Sequence, residues 1–156
     1  MFCRSTANKW YNKSVEGKIN GWKFLSCRSD PMELNSISGE IVDAAIKVHT
    51  ALGPGLLEST YTACLAHELR LRSLDVRLQV PLPIQYKGVL IRVGYRIDML
   101  VQSSVVVELK VVRTLHPVHE AQLLSYLKLS GCKLGLLINF NVAHLRDGIK
   151  RMVNNS

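Results

Sequence analysis

The chain has no apolar run approaching the ~20 residues that a helix needs to cross a bilayer; its longest candidate, residues 134–138 with their neighbours, falls well short. No membrane span is expected. Four cysteines, Cys3, Cys27, Cys64 and Cys132, stand far apart without a C-x-x-C pair, which argues against a zinc knuckle. A chain of 156 residues also needs no disulfide framework to build its core, so reduced thiols in a cytoplasmic compartment are the expectation. Internal repeats and low-complexity segments are absent. So is a phosphate-binding loop: the glycines of Leu52-Gly53-Pro54-Gly55-Leu56 follow no strand and precede no Lys-Ser/Thr pair. Acidic residues are scarce, 12 against 20 Lys and Arg, leaving a net charge of +8. That balance favours a polyanionic partner such as nucleic acid, held through phosphate contacts.

Hydrophobic residues make up 47% of the chain, and a domain of this length can bury roughly 70% of the surface it exposes when unfolded. Residues 1–31 show no sustained period. They scatter Trp10, Tyr11, Trp22 and Phe24 among six basic residues (Arg4, Lys9, Lys13, Lys18, Lys23, Arg28) and two acidic ones, Glu16 and Asp30. This stretch reads as a poorly ordered basic leader, with a phosphate-touching arm and an organelle-targeting peptide as the sharper alternatives. The folded domain is expected over residues 32–156.

From residue 38, Ile41, Ala45, Val48 and Leu52 form a helical stripe, which Gly53-Pro54-Gly55 stops. A second helix follows, with Leu57, Tyr61, Cys64, Leu65, Glu68 and Leu69 on one broad face and Glu58 in its first turn, where the helix dipole favours a carboxylate. Residues 76–86 alternate loosely, and Pro81 and Pro83 confine them to an edge or bulged strand. Lys87-Gly88 is the tip of a hairpin leading into strands over residues 89–101 and 105–112. A helix over 118–129 is stopped by Gly131, a doubly covered strand spans 134–140, and a last helix is expected over 142–152. The order ααβββαβα defines an α/β fold, a mixed central β-sheet flanked by helices.

The most strand-like stretch carries charge. With residues 102–104 as a hairpin loop, Asp98 faces Glu108 across the ladder, and Lys110 shares the face of Glu108. Opposed carboxylates repel, and burying one is costly without a counter-charge. A shared Mg²⁺ or Mn²⁺ ion would supply that charge; an exposed strand face neutralised by Lys110 would remove the need. Gln122 and Tyr126 lie at i, i+4 on the helix that follows, either facing the same patch or forming an ordinary helix surface. Tyr61, three residues after Glu58, either hydrogen-bonds it or packs on the sheet. His116-Pro117-Val118-His119 is a poor metal pair, because proline breaks the helical spacing that H-E-x-x-H sites use, and His119 reads as a helix-start residue.

A glutamate on a helix, an aspartate on a strand, E-x-K on the next strand and Q-x-x-x-Y on the helix after it form an ordered set. In this the chain resembles the PD-(D/E)XK nuclease superfamily, in its Q-x-x-x-Y branch. More narrowly it resembles the small GxxExxY proteins, whose motif here reads Gly55-Leu56-Leu57-Glu58-Ser59-Thr60-Tyr61. The resemblance runs from about Met32 to the C-terminus. It implies a restriction-endonuclease-like fold and metal-dependent hydrolysis of phosphodiester bonds in DNA or RNA. Asp98 and Glu108 match the metal-binding acids, Glu58 the helix glutamate that assists them, Lys110 the motif lysine, and Gln122 and Tyr126 the pair lining the cleft. Ile97 stands where many members have proline. The resemblance is also compatible with a homodimer. Two other classes remain: a nucleic-acid-binding or regulatory module of the same fold without turnover, and a partner-binding subunit.

Overall fold

The computed structural model describes Cys27, residues 30–92 and residues 94–155. The leader expected over residues 1–31 therefore lies, apart from Cys27, Asp30 and Pro31, outside the described residues. Helix α1 spans Pro31–Leu52. It begins a full two turns before the apolar stripe because Asp30 caps it, accepting the Met32 N–H at 2.9 Å, with Pro31 in the first turn. Gly53 ends it with a positive φ of 69° that favours glycine, and helix α2 runs over Glu58–Leu71.

Five strands form the main sheet in the order β1-β4-β5-β6-β7: β1 (Val76–Pro81), β4 (Arg96–Val101), β5 (Val105–Lys110), β6 (Leu134–Asn139) and β7 (Ile149–Val153). Strands β2 (Ile84–Tyr86) and β3 (Val89–Ile91) make a separate two-stranded ribbon around the expected Lys87-Gly88 tip. Only β5 and β6 pair in parallel, joined through helix α3 (Pro117–Ser130), so the sheet is mixed. Helices α1 and α2 cover one face, burying Ile41, Leu65 and Leu69 against Val105, Val107 and Leu136. Helix α3 covers the other, with Leu123 and Leu127 on Leu100, Val106 and Leu137. The fold is the expected α/β sandwich of restriction-endonuclease-like type.

Two expectations are corrected. Residues 142–152 do not form a helix: a 3₁₀ turn at Leu145–Gly148 leads into strand β7, which pairs antiparallel with β6 from Leu134↔Val153 to Ile138↔Ile149. Sheet pairing overrides the local pattern there, because β6 would otherwise expose an unpaired edge. The thiols are not all reduced, since Cys27 is joined to Cys132 in a disulfide with a Cα–Cα distance of 5.1 Å, whereas Cys64 is free. Spatial approach at the α3–β6 corner, invisible in cysteine spacing, decides that pairing, and it removes the ground on which a cytoplasmic compartment was expected. Among the described residues no helix is long and apolar enough to cross a membrane.

The last hairpin turns on a close approach. A Cβ at Gly148 would stand 2.3 Å from the Asn139 carbonyl oxygen and 3.0 Å from Val142 Cγ2. Gly148→Ala is expected to cost about 1–3 kcal/mol, as overpacking against backbone does, and the shift of the urea midpoint measures it.

Candidate active site

The hairpin of β4 and β5 is built as its register demands. Gln102 and Ser103 take positive φ, the Ser104 N–H closes the turn on the Val101 carbonyl at 3.0 Å, and pairing runs Val101↔Val105, Leu100↔Val106 and Met99↔Val107. There the ladder stops. Asp98 does not face Glu108 as a regular pair; its Oδ2 accepts the backbone N–H of Leu109 at 3.0 Å. The alternation of β4 slips at the same point: Ile97 and Leu100 both lie in the α3-side core, while Met99 and Val101 lie in the other. The carboxylate thus takes up an N–H of β5 where the regular pairing of the two strands ends.

Glu108 is 2% exposed, on the face covered by α3. Its Oε1 accepts from Lys110 Nζ at 2.8 Å, while its Oε2 is buried with no hydrogen-bond partner among the described residues. Burial, and then the charge of Asp98, push the Glu108 pKa up to about 7 against the opposing pull of Lys110. Burial works against the charge on Lys110, but the hydrogen bond and charge of Glu108, with Asp98 and Glu58 behind them, outweigh it and hold the ammonium above its ordinary pKa. Glu58 opens α2 and keeps much of its surface in solvent. Even so, partial desolvation raises its pKa, Asp98 adds to the rise and Lys110 opposes it. From α3, Gln122 Nε2 donates to the Tyr126 hydroxyl at 3.0 Å. Desolvation raises the Tyr126 pKa; the Gln122 bond counters it, and the charges of Glu108 and Asp98 add to it. All six predicted residues therefore stand at one end of the sheet, linked by hydrogen bonds or by mutual charge.

They do not form a closed ligand set. Among the described residues no three His, Cys, Asp or Glu side chains make a ready metal cluster. The charge of Asp98 acts on both Glu108 and Glu58. The donor chemistry nonetheless fits a hard divalent cation: oxygens only, one of them buried and without a partner among the described residues, with the Glu58 and Glu108 pKa values raised first by desolvation and then by the charge of Asp98.

Several neighbours hold this end in place. Tyr61 is buried, its ring stacked on Phe140 with centroids 4.5 Å apart. Its hydroxyl donates to the Gly53 carbonyl and accepts the Leu56 N–H at 3.2 Å, so it packs and does not bond Glu58. That clasp closes the loop in which Gly55 takes φ 101°, and the loop delivers Glu58. Asn139 closes the apolar run of β6. Buried at the end of β6, its amide donates to the Val112 carbonyl at 2.9 Å while its Oδ1 accepts the Val112 and Asn141 N–H groups. It fixes the chain just past Lys110. An asparagine closing an otherwise apolar run was the available signal, since a buried amide needs partners. His119 Nδ1 accepts the His116 N–H at 3.0 Å and so serves the start of α3.

The sequence model of the PD-(D/E)XK nuclease superfamily matches residues 35–152, most of the chain. The protein belongs to that superfamily, whose members are nucleases that generally use divalent metals. Comparison with curated proteins and with solved structures gives no match.

A glutamate titrating near 7 when folded and near 4.5 when unfolded binds more protons in the native state between those values, so its ionisation lowers stability as pH rises across that window. The penalty is absent below pH ~4.5, complete above ~7, and of order 3 kcal/mol. Glu108→Gln removes it: the variant's melting temperature is expected to gain on wild type progressively from about pH 5 to pH 7.5, and melts over that range check this.

Proposed function

We propose that this protein is a metal-dependent nuclease that hydrolyses phosphodiester bonds of DNA or RNA, and that within its superfamily it is a GxxExxY protein. The observation carrying the proposal is the buried, unpartnered Glu108 Oε2 set between Asp98 and Lys110. A carboxylate desolvated in this way and left half satisfied is unfavourable for folding alone and suited to a cation. Glu108, Asp98 and Glu58 would hold Mg²⁺ or Mn²⁺. Such an ion, when bound, supplies a Lewis acid for the phosphate and lowers the pKa of a water.

The remaining roles fall to the chain's own groups. Lys110 stays protonated through the neutral range, so its ammonium offers a fixed positive charge to the phosphate oxygens as negative charge builds on them. Its bond to Glu108 keeps it aimed into the site. The Tyr126 hydroxyl, receiving the Gln122 amide proton, is free to donate its own proton to the substrate backbone or to orient Lys110. The chain's net charge of +8 supports a polyanionic partner such as nucleic acid. A homodimer would present two such sites to two strands.

Purified full-length chain should cleave at least one form of DNA or RNA with Mg²⁺ or Mn²⁺ and lose that activity in EDTA. Asp98→Asn and Lys110→Ala should each lower the rate by about 100-fold or more, without a matching loss of nucleic-acid affinity. Binding that survives EDTA, with no cleavage of any form, would identify a binding module instead.

A further inference from the structure

The β2–β3 ribbon is not needed to close the core, and it springs from the end of the sheet that holds Asp98 and Lys110. Pairing between β1 and β4 runs from Val76↔Val101 to Pro81↔Arg96; the Leu82 N–H then bonds the Tyr95 carbonyl at 2.9 Å, and Ile84↔Ile91 opens the ribbon. Arg96 lies two residues from Asp98 on the same strand, and the Tyr95 ring meets the Tyr126 ring edge-on at 6.3 Å. The ribbon is thus an outward extension of the candidate site's wall.

Its surface is unusual in two respects. Between Asp75 and Asp98 the chain has no acidic residue but carries Arg77, Lys87, Arg92 and Arg96, all four exposed. One face of the ribbon is apolar, because the register Ile84↔Ile91 and Tyr86↔Val89 puts those four side chains on the same side. Tyr86 is 59% and Val89 61% exposed, and nothing among the described residues covers them. Lys87 Nζ lies over the Tyr86 ring, 5.5 Å from its centre, so a cation caps one side of the aromatic ring at the tip.

We propose that this ribbon is a grip for single-stranded nucleic acid, feeding the strand toward Asp98, Glu108 and Lys110. This deepens the nuclease reading and rests on it for direction. An aromatic face flanked by cations suits unpaired bases, which stack on the ring while their phosphates lie against Lys87 and Arg96. A duplex has its bases stacked internally and offers only phosphates to the arm, leaving Tyr86, Val89 and Ile91 unused. A second copy of the chain would bring like charges together, with no acidic group on the ribbon to meet them.

The test uses the full-length protein in EDTA, which keeps the probe intact, and follows the anisotropy of a labelled short oligothymidylate and of a duplex. Tyr86→Ala should weaken single-strand binding about tenfold, and Tyr86→Phe should restore it. Lys87→Ala should flatten the dependence of affinity on salt by about one ion. Duplex binding should be weaker and insensitive to Tyr86. A Tyr86→Ala variant that binds oligothymidylate as wild type does, a duplex bound equally well, or no binding of either probe would overturn the proposal. So would sedimentation showing a dimer that Tyr86→Ala dissociates. Hydrolysis of bis(p-nitrophenyl) phosphate, too small to reach the arm, should be unchanged in Tyr86→Ala. Hydrolysis with a Tyr86-independent affinity refutes the grip alone, and a Tyr86-dependent affinity without hydrolysis refutes the nuclease reading alone.

Discussion

Glu108 is buried in the sheet with one carboxylate oxygen bonded to Lys110 and the other without a hydrogen-bond partner among the described residues, beside the negative charge of Asp98. A fold selected for stability alone would place an apolar residue there, because a desolvated charge costs more than the hydrogen bond from one lysine returns. The apolar neighbours on the same strand, Val106, Leu109 and Val107, show how readily that position could be filled. The local arrangement makes sense as a field held ready for a cation and a phosphate. Lys110 balances part of it and stays charged, and the pKa values of Glu58, Glu108 and Tyr126 are all displaced upward by the desolvated, negative surroundings.

The scaffold around that field is rigid where it has to be. Asp98 takes over a backbone hydrogen bond from Leu109, so its carboxylate is locked into the sheet instead of swinging from a rotamer-rich stem. Asn139 holds the backbone at Val112, and the Phe140 N–H bonds the Lys110 carbonyl at 2.9 Å, which fixes the chain on the far side of the acids. Tyr61 clamps the glycine loop that positions Glu58. In the motif that resembles GxxExxY, the glycine and the tyrosine are thus structural and the glutamate faces the field. Preorganisation of this kind is the basis of electrostatic catalysis, because dipoles already in place need not reorganise during reaction.

Much of this was legible in the sequence for definite reasons. A three-residue loop between two apolar strands fixes a register, and the pairs Val101↔Val105 to Met99↔Val107 follow from it. The i, i+4 spacing of Gln122 and Tyr126 brings their side chains together on one helix face, as their hydrogen bond records. What escaped were features set by tertiary contact. Strand β7 carries a pattern that suits a helix locally and becomes a strand because β6 needs a partner on that side. The slip at Asp98 depends on a side chain outcompeting a backbone carbonyl for one N–H. The Cys27–Cys132 pairing depends on where α3 ends.

The most direct test of the central claim is calorimetric titration of Mn²⁺ into the protein near pH 6 in buffers of different ionisation enthalpy. With Glu108 titrating at about 7 it is mostly protonated at that pH, so binding must expel a proton. The account predicts saturable binding that releases about one proton at pH 6, fewer at pH 8, and none in Glu108→Gln. Absent binding, or binding with the same affinity and no proton release in both proteins, would contradict it.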